Sequence, residues 1–128
     1  MIKVVAGVIT LQDKVLIARR APHKKMPGKW EFPGGKVEPD ESDERALERE
    51  IFEEFGVRIK TGPFLARNQY DYGEFEIELI AYHAEYVEGD FSLSDHDRIQ
   101  WVRPEQLGRF DLTEADVIFV EKLQKGSE

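Results

Sequence analysis

Apolar residues along the chain recur with two periods, and each change of period marks an element. Ile2–Leu11 is rich in Val and Ile, Gln12-Asp13 is polar, and residues 15–19 turn apolar again. β-Branched runs bounded by turn residues read as strands, so the chain opens on a predicted hairpin. Residues 21–29 carry Pro22, Pro27 and Gly28 among polar positions and read as a loop. Trp30-Glu31-Phe32 suits a short strand, after which Pro33-Gly34-Gly35 predicts a turn. The period then becomes helical, with Leu47, Ile51 and Phe55 at four-residue spacing forming one buried stripe. Ser42 suits the N-cap, Asp43 and Glu44 complement the dipole of the first turn, and Gly56 suits the C′ position. Residues 57–66, 68–72 and 74–85 return to β-formers as separate strands, with Tyr72-Gly73 as a turn. Residues 88–97 read as a polar loop and 98–102 as a strand that ends before Pro104. From an N-cap at Thr113, Ala115, Ile118, Phe119 and Leu123 fall at helical spacing. Strands interrupted by two separated helices predict one α/β domain over residues 1–128, with helices on both sides of a sheet.

Composition narrows the class. A chain of 128 residues, 41% hydrophobic, has the size and apolar content of one globular domain. The absence of cysteine excludes disulfides, cysteine-held metals and cysteine nucleophiles. No apolar run approaches the roughly 20 residues of a membrane helix, and the first residues lack a signal-peptide pattern. A cytoplasmic protein with no membrane partner is expected.

The charge is concentrated. Of a formal −8, −7 falls between Glu38 and Glu54, where nine acids face only Arg45 and Arg49. Such a cluster repels phosphate, so no nucleic-acid polymer is expected as a partner. On a helix, Glu54 lies about 40° to one side of Glu50 and Glu53 about 60° to the other, so three carboxylates share one arc. Like charges at these spacings are mutually destabilising. They form either a solvated acidic face or a site for a hard cation such as Mg²⁺.

From Gly35 to Val57 the chain reads GKVEPDESDERALEREIFEEFGV. It has glycine, five residues, Glu41, seven residues, Arg49-Glu50-Ile51, one residue, Glu53-Glu54, one residue, and Gly56-Val57. This resembles the Nudix box at every fixed position. The resemblance implies an α–β–α sandwich with a mixed sheet, hydrolysing a nucleoside diphosphate linked to another moiety. It also implies that Glu50, Glu53 and Glu54 hold Mg²⁺ or Mn²⁺, with the Gly34 carbonyl as a further metal ligand. Arg49 would orient the helix carboxylates, and Glu41 would brace the junction into the helix. Glu50 and Glu53 are the catalytic candidates among the glutamates, with Arg49 beside them.

Residues outside the box resemble the MutT-like branch, closest in look to the CTP pyrophosphohydrolase and 8-oxo-dGTP diphosphatase types. They are Arg19-Arg20-Ala21, Lys29 to Lys36, the segment GKVEPDES and Asn68-Gln69. The branch implies cleavage of a nucleoside triphosphate, with cytidine or guanine as base, into monophosphate and pyrophosphate. Alternatives are other Nudix substrates (ADP-ribose or dinucleoside polyphosphates) and a non-enzymatic nucleotide sensor. Asp95 reads either as a further ligand or general base, or as a turn-forming aspartate. Arg20, Phe32 and Asp116 fall at substrate-contacting places, though Phe32 also suits simple packing and Asp116 an exposed first helical turn. Lys36 suits either a phosphate contact or a solvated lysine. Tyr70, Tyr72 and Phe75 read as pocket lining or packing, and Trp101 as core. His96 is expected as an exposed loop histidine, and His23 and His83 as structural. The oligomeric expectation is a monomer or a homodimer.

Overall fold

The computed structural model describes residues 1–126. In chain order it contains β1 (Ile2–Leu11), β2 (Lys14–Arg20), β3 (Trp30–Glu31), β4 (Gly34–Lys36) and α1 (Asp43–Phe55). Then come β5 (Arg58–Asp71), β6 (Glu76–Glu88), β7 (His96–Val102), a 3₁₀ segment (Pro104–Arg109) and α2 (Glu114–Gly126). The strands form one sheet along the path β3-β2-β1-β6-β5, with β4 also on β1 and β7 also on β2. β1 and β6 run parallel from Ile2 opposite Ile77 to Thr10 opposite Glu85, and the other pairings are antiparallel. The sheet is therefore mixed.

Alternation along β1 fixes the layers. Val5 and Ile9 pack with Ala46, Leu47, Ile51 and Phe55 of α1, whereas Ala6 and Val8 pack with Ala115, Phe119, Val120 and Leu123 of α2. Successive strand residues face opposite sides, so the two helices cover opposite faces of the sheet. The fold is the expected α/β sandwich. β1 and β2 pair beside their turn, Thr10 with Val15 and Leu11 with Lys14. Beyond that point β1 takes β4 as neighbour while β2 takes β3 and β7. The two strands part, and the opening between them is where the site lies.

α1 forms where its caps predict. Ser42 accepts from the Arg45 N–H at 3.2 Å, and Gly56 adopts the left-handed φ of 71°. Four expectations are corrected. Residues 57–66 and 68–72 belong to one strand, β5, because β6 pairs along it as far as Asp71. Two register shifts near Thr61 and Phe64 interrupt the alternation that a single strand would show in sequence. Gly34-Gly35 is strand rather than turn, held against Ala6 and Val5. β7 begins at His96, two residues before the expected start. In α2, Ile118 is 39% exposed and Val120 takes the buried position instead.

Candidate active site

Two glycines let α1 approach the sheet. A Cβ on Gly34 would stand 1.9 Å from the Val5 carbonyl oxygen, and one on Gly35 would stand 2.3 Å from Cδ of Glu50. Side chains at either place are sterically impossible without movement. β4 can therefore lie between β1 and α1, bringing the Gly34–Gly35 backbone beside the helix glutamates.

Arg49 organises the acidic cluster. Its Nε and Nη2 donate to the two oxygens of Glu41 at 2.7 and 3.0 Å, a fork-to-fork pair. Nη1 donates to Glu50 Oε1 and to Glu53 Oε2, both at 3.1 Å, and Nη2 also donates to the Lys36 carbonyl at 3.1 Å. The guanidinium hydrogen bond pulls the Glu41 carboxyl down to about 2. One arginine thus ties the loop before α1, the strand β4 and two helix carboxylates together.

The three helix glutamates differ in setting. Glu53 reaches outward to Arg49 with its side chain 58% exposed. Glu50 lies under Gly35, and burial raises its pKa against the opposing pull of Arg49. Glu54 is pushed up to about 9, first by burial and then by the charges of Glu50, Glu31 and Asp95. Its Oε2 is buried without a hydrogen-bond partner. A buried, unpartnered carboxylate oxygen among other carboxylates is costly unless a cation compensates it. The oxygen-only donor set is the kind that Mg²⁺ prefers. The chemistry of these residues fits a divalent cation, which Glu50 and Glu54 would hold. Among the described residues no three carboxylate or histidine side chains already converge at ligand spacing, in keeping with Glu53 being turned to Arg49.

A cavity of about 360 Å³ extends from this end between β1 and β2. Its lining includes Gly34, Gly35, Lys36, Glu54 and Asp95 together with Arg20, Phe32, Tyr72, Phe75 and Asp116. Glu50, Glu53 and Arg49 stand behind or beside that lining rather than in it. Lys36 is exposed at the rim. Phe32 is 3% exposed and packs in the core while also lining the cavity. Tyr70 stands behind Tyr72, with ring centroids 4.7 Å apart.

Asp116 does not sit exposed in its helical turn. It is 4% exposed, and its Oδ2 accepts from the Phe32 N–H at 3.0 Å. Burial pushes its carboxyl up to about 7, with the charge of Glu31 adding to the effect.

Two site residues escape sequence reasoning. Glu31 lines the cavity, accepting from Arg20 Nη1 on both oxygens at 3.1 and 3.2 Å. The Arg20 Nε donates to the Lys25 carbonyl. His96, expected as an exposed loop residue, is instead 5% exposed, with Nε2 2.7 Å from Glu31 Oε2. Its partner is 65 positions away, and no local pattern signals such a pair. His23 and His83 lie outside the cavity lining.

Comparison with known proteins identifies the family. The family profile described as NUDIX domain matches residues 1–123. The CTP pyrophosphohydrolase of Escherichia coli (strain K12) is 38% identical over 121 residues, covering 94% of this chain and 90% of that protein. The 8-oxo-dGTP diphosphatase of the same strain is 28% identical over 125 residues, covering 97% of each. The crystal structure of a MutT protein from Methanosarcina mazei Go1 superposes with a TM-score of 0.88 at 30% identity, covering 99% of this chain and 95% of that one.

Proposed function

Because the chain belongs to the Nudix hydrolase family, we propose that it is a Mg²⁺-dependent nucleoside triphosphate pyrophosphohydrolase. It would cleave cytidine or guanine nucleotides, normal or oxidised, to the monophosphate and pyrophosphate. The observation that supports this reading is the continuity of one cavity from Glu54 and Gly34 to Asp116 and Phe32. A triphosphate chain placed at the acidic end leaves the base at the aspartate end.

Glu50, Glu53 and Glu54, with the Gly34 carbonyl, would hold the cation, Mn²⁺ serving as a substitute. When bound, the cation offsets charge on the bridging oxygens and lowers the pKa of the attacking water. The chain's own groups do the remaining work. Arg49 holds Glu50 and Glu53 at fixed distances, so little reorientation is needed when the nucleotide arrives. Asp95, 3.8 Å from Lys24 Nζ, and Glu53, held by Arg49, are the exposed carboxylates that would accept the water proton. Lys36 and Arg20 bring positive charge to the phosphates, although Arg20 is shared with Glu31. With its carboxyl at about 7, Asp116 accepts hydrogen bonds from amino groups such as cytosine N4 or guanine N2 once it is ionised.

The comparison supports a nucleotide as a small-molecule partner and a divalent cation as cofactor. Cytoplasmic residence, where nucleoside triphosphates are plentiful, belongs to the same proposal. Among the described residues no helix is long and apolar enough to cross a membrane. The test is kcat/KM for CTP, dCTP, dGTP, 8-oxo-dGTP and ADP-ribose at matched Mg²⁺, with monophosphate and pyrophosphate quantified separately. A triphosphate is expected to lead the panel and to yield pyrophosphate. Preference for ADP-ribose, or release of inorganic phosphate instead, overturns the proposal.

A further inference from the structure

The pairing of β2 with β7 contains an irregularity beside the cavity. Arg19 stands opposite Arg98, but Arg20 stands opposite His96, so Asp97 is an extra residue in the ladder. A regular ladder would place Asp97 across from Arg20. The bulge instead turns Asp97 outward, where it accepts from Arg19 Nε at 2.7 Å and Nη2 at 3.2 Å. The same bulge turns His96 inward. Bulges beside active sites commonly re-aim a side chain in this way.

The inward imidazole contacts Phe55 in the core and Glu31 in the cavity lining. Its ring stacks on Phe55, with centroids 5.2 Å apart and planes 22° apart, and Phe55 directly follows Glu54. Its Nε2 lies 2.7 Å from Glu31 Oε2, and the hydrogen is assigned to Nε2 because an ionised carboxylate only accepts. Asp95 directly precedes His96, and its carbonyl accepts from the Ala21 N–H at 3.0 Å, next to Arg20. Glu31 needs such an anchor. It shares the cavity lining with the carboxyl groups of Glu54, Asp95 and Asp116. Two groups, Arg20 and His96, hold it in.

We propose that His96 is a positioning residue that fixes Glu31, and through it Arg20, in the orientation presented to the nucleotide. The inference rests on the hydrolase reading above for the identity of the ligand. Removing the imidazole donor leaves Glu31 held by Arg20 alone, and the pair is then free to follow the mobile end of the arginine. The Phe55 stack is a separate contribution that fills the core. The two contributions can be separated by substitution.

His96→Phe keeps a ring against Phe55 and removes the donor. His96→Gln places an amide donor near the position of Nε2 and removes the ring. The readout is the Kd of a non-hydrolysable α,β-methylene CTP analogue with Mg²⁺, measured by calorimetry, alongside kcat, KM and Tm. Loss of a hydrogen bond to a charged group predicts about tenfold weaker binding and a raised KM for His96→Phe. Its kcat is expected to stay within about threefold, and His96→Gln to recover most of the affinity. In a Glu31→Gln background, His96→Phe is expected to add almost nothing, because the two residues act as one unit. Equal losses for Phe and Gln, or additive effects with Glu31→Gln, make His96 a core filler and overturn the inference. If Phe at 96 prevents folding, His96→Asn, whose shorter amide falls short of Glu31, supplies the same contrast with His96→Gln. Analogue binding without turnover of any nucleotide in the panel by the wild type removes the hydrolase reading and leaves the positioning result standing. A wild type that binds no nucleotide overturns both.

Discussion

Single residues carry opposite electrostatic roles in this site. Asp116 is held at about 7 inside the core, above the value near 3.9 of an unfolded aspartate. Between those two values the native state keeps a proton that the unfolded chain has lost. Stability therefore falls as pH rises through that window, and the penalty is complete above the native value. Asp116→Asn removes the titration while retaining an acceptor for the Phe32 N–H. Urea unfolding at pH 5 and pH 8 is expected to show the wild type losing about 2 kcal/mol more than the variant across that interval. Parallel pH profiles refute the assignment. Glu53 belongs to the other class, an exposed carboxylate held by Arg49. Glu53→Gln is expected to lower kcat by at least about a hundredfold with Tm nearly unchanged, since surface substitutions seldom cost much stability. Near-normal turnover would remove Glu53 from the machinery. The contrast also explains what was legible. The spacing of Arg49, Glu50, Glu53 and Glu54 is visible because one helix displays it. Glu31 and His96 are joined across 65 positions through a bulge, and a bulge leaves no mark in a sequence.

At the scale of elements, the short strand β4 is what joins sheet to helix, and its two glycines do different work. An added methyl on Gly34 meets backbone, the Val5 carbonyl, which cannot yield without breaking the β1–β4 pairing. Gly34→Ala is expected to destabilise the fold by about 3 kcal/mol or more, seen as an early urea midpoint. A methyl on Gly35 meets the end of the Glu50 side chain, which can rotate away. Gly35→Ala is expected to keep most of the stability and to lose the activity that depends on Glu50. If both variants unfold alike, β4 is only a packing element. The helix α1 was readable because its caps, acidic first turn and apolar stripe all agree, and such agreement across levels is strong evidence. β5 was not. The expected boundary fell at Arg67, yet β6 pairs with Ala66, Arg67 and Asn68 in turn, so the strand runs on through it. In α2 the apolar spacing allowed Ile118 or Val120 to face inward, and only the position of the sheet decides between them.

For the whole molecule the question is how a fold tolerates −7 in one turn and helix. Arg49 compensates part of it internally, and the buried Glu54 oxygen is left uncompensated. A cation that binds the native site and not the unfolded chain stabilises the fold by mass action, about 2.7 kcal/mol at a concentration one hundred times its Kd. For a domain of this size that is a rise in Tm of about 10 °C. Thermal unfolding with MgCl₂ or MnCl₂ is expected to show the rise without any nucleotide. NaCl at matched ionic strength only screens exposed charges and is expected to reproduce little of it. The comparison with Glu54→Gln is decisive. Without a cation the buried Glu54 keeps a proton that the unfolded chain has lost, and an amide there carries no such penalty, so the variant is expected to be at least as stable as the wild type without divalent ions and to respond weakly to them. The same substitution would then raise stability and abolish hydrolysis. An equal Mg²⁺ response in both proteins would place the stabilising ion elsewhere on the acidic surface and separate the charge cluster from the chemistry.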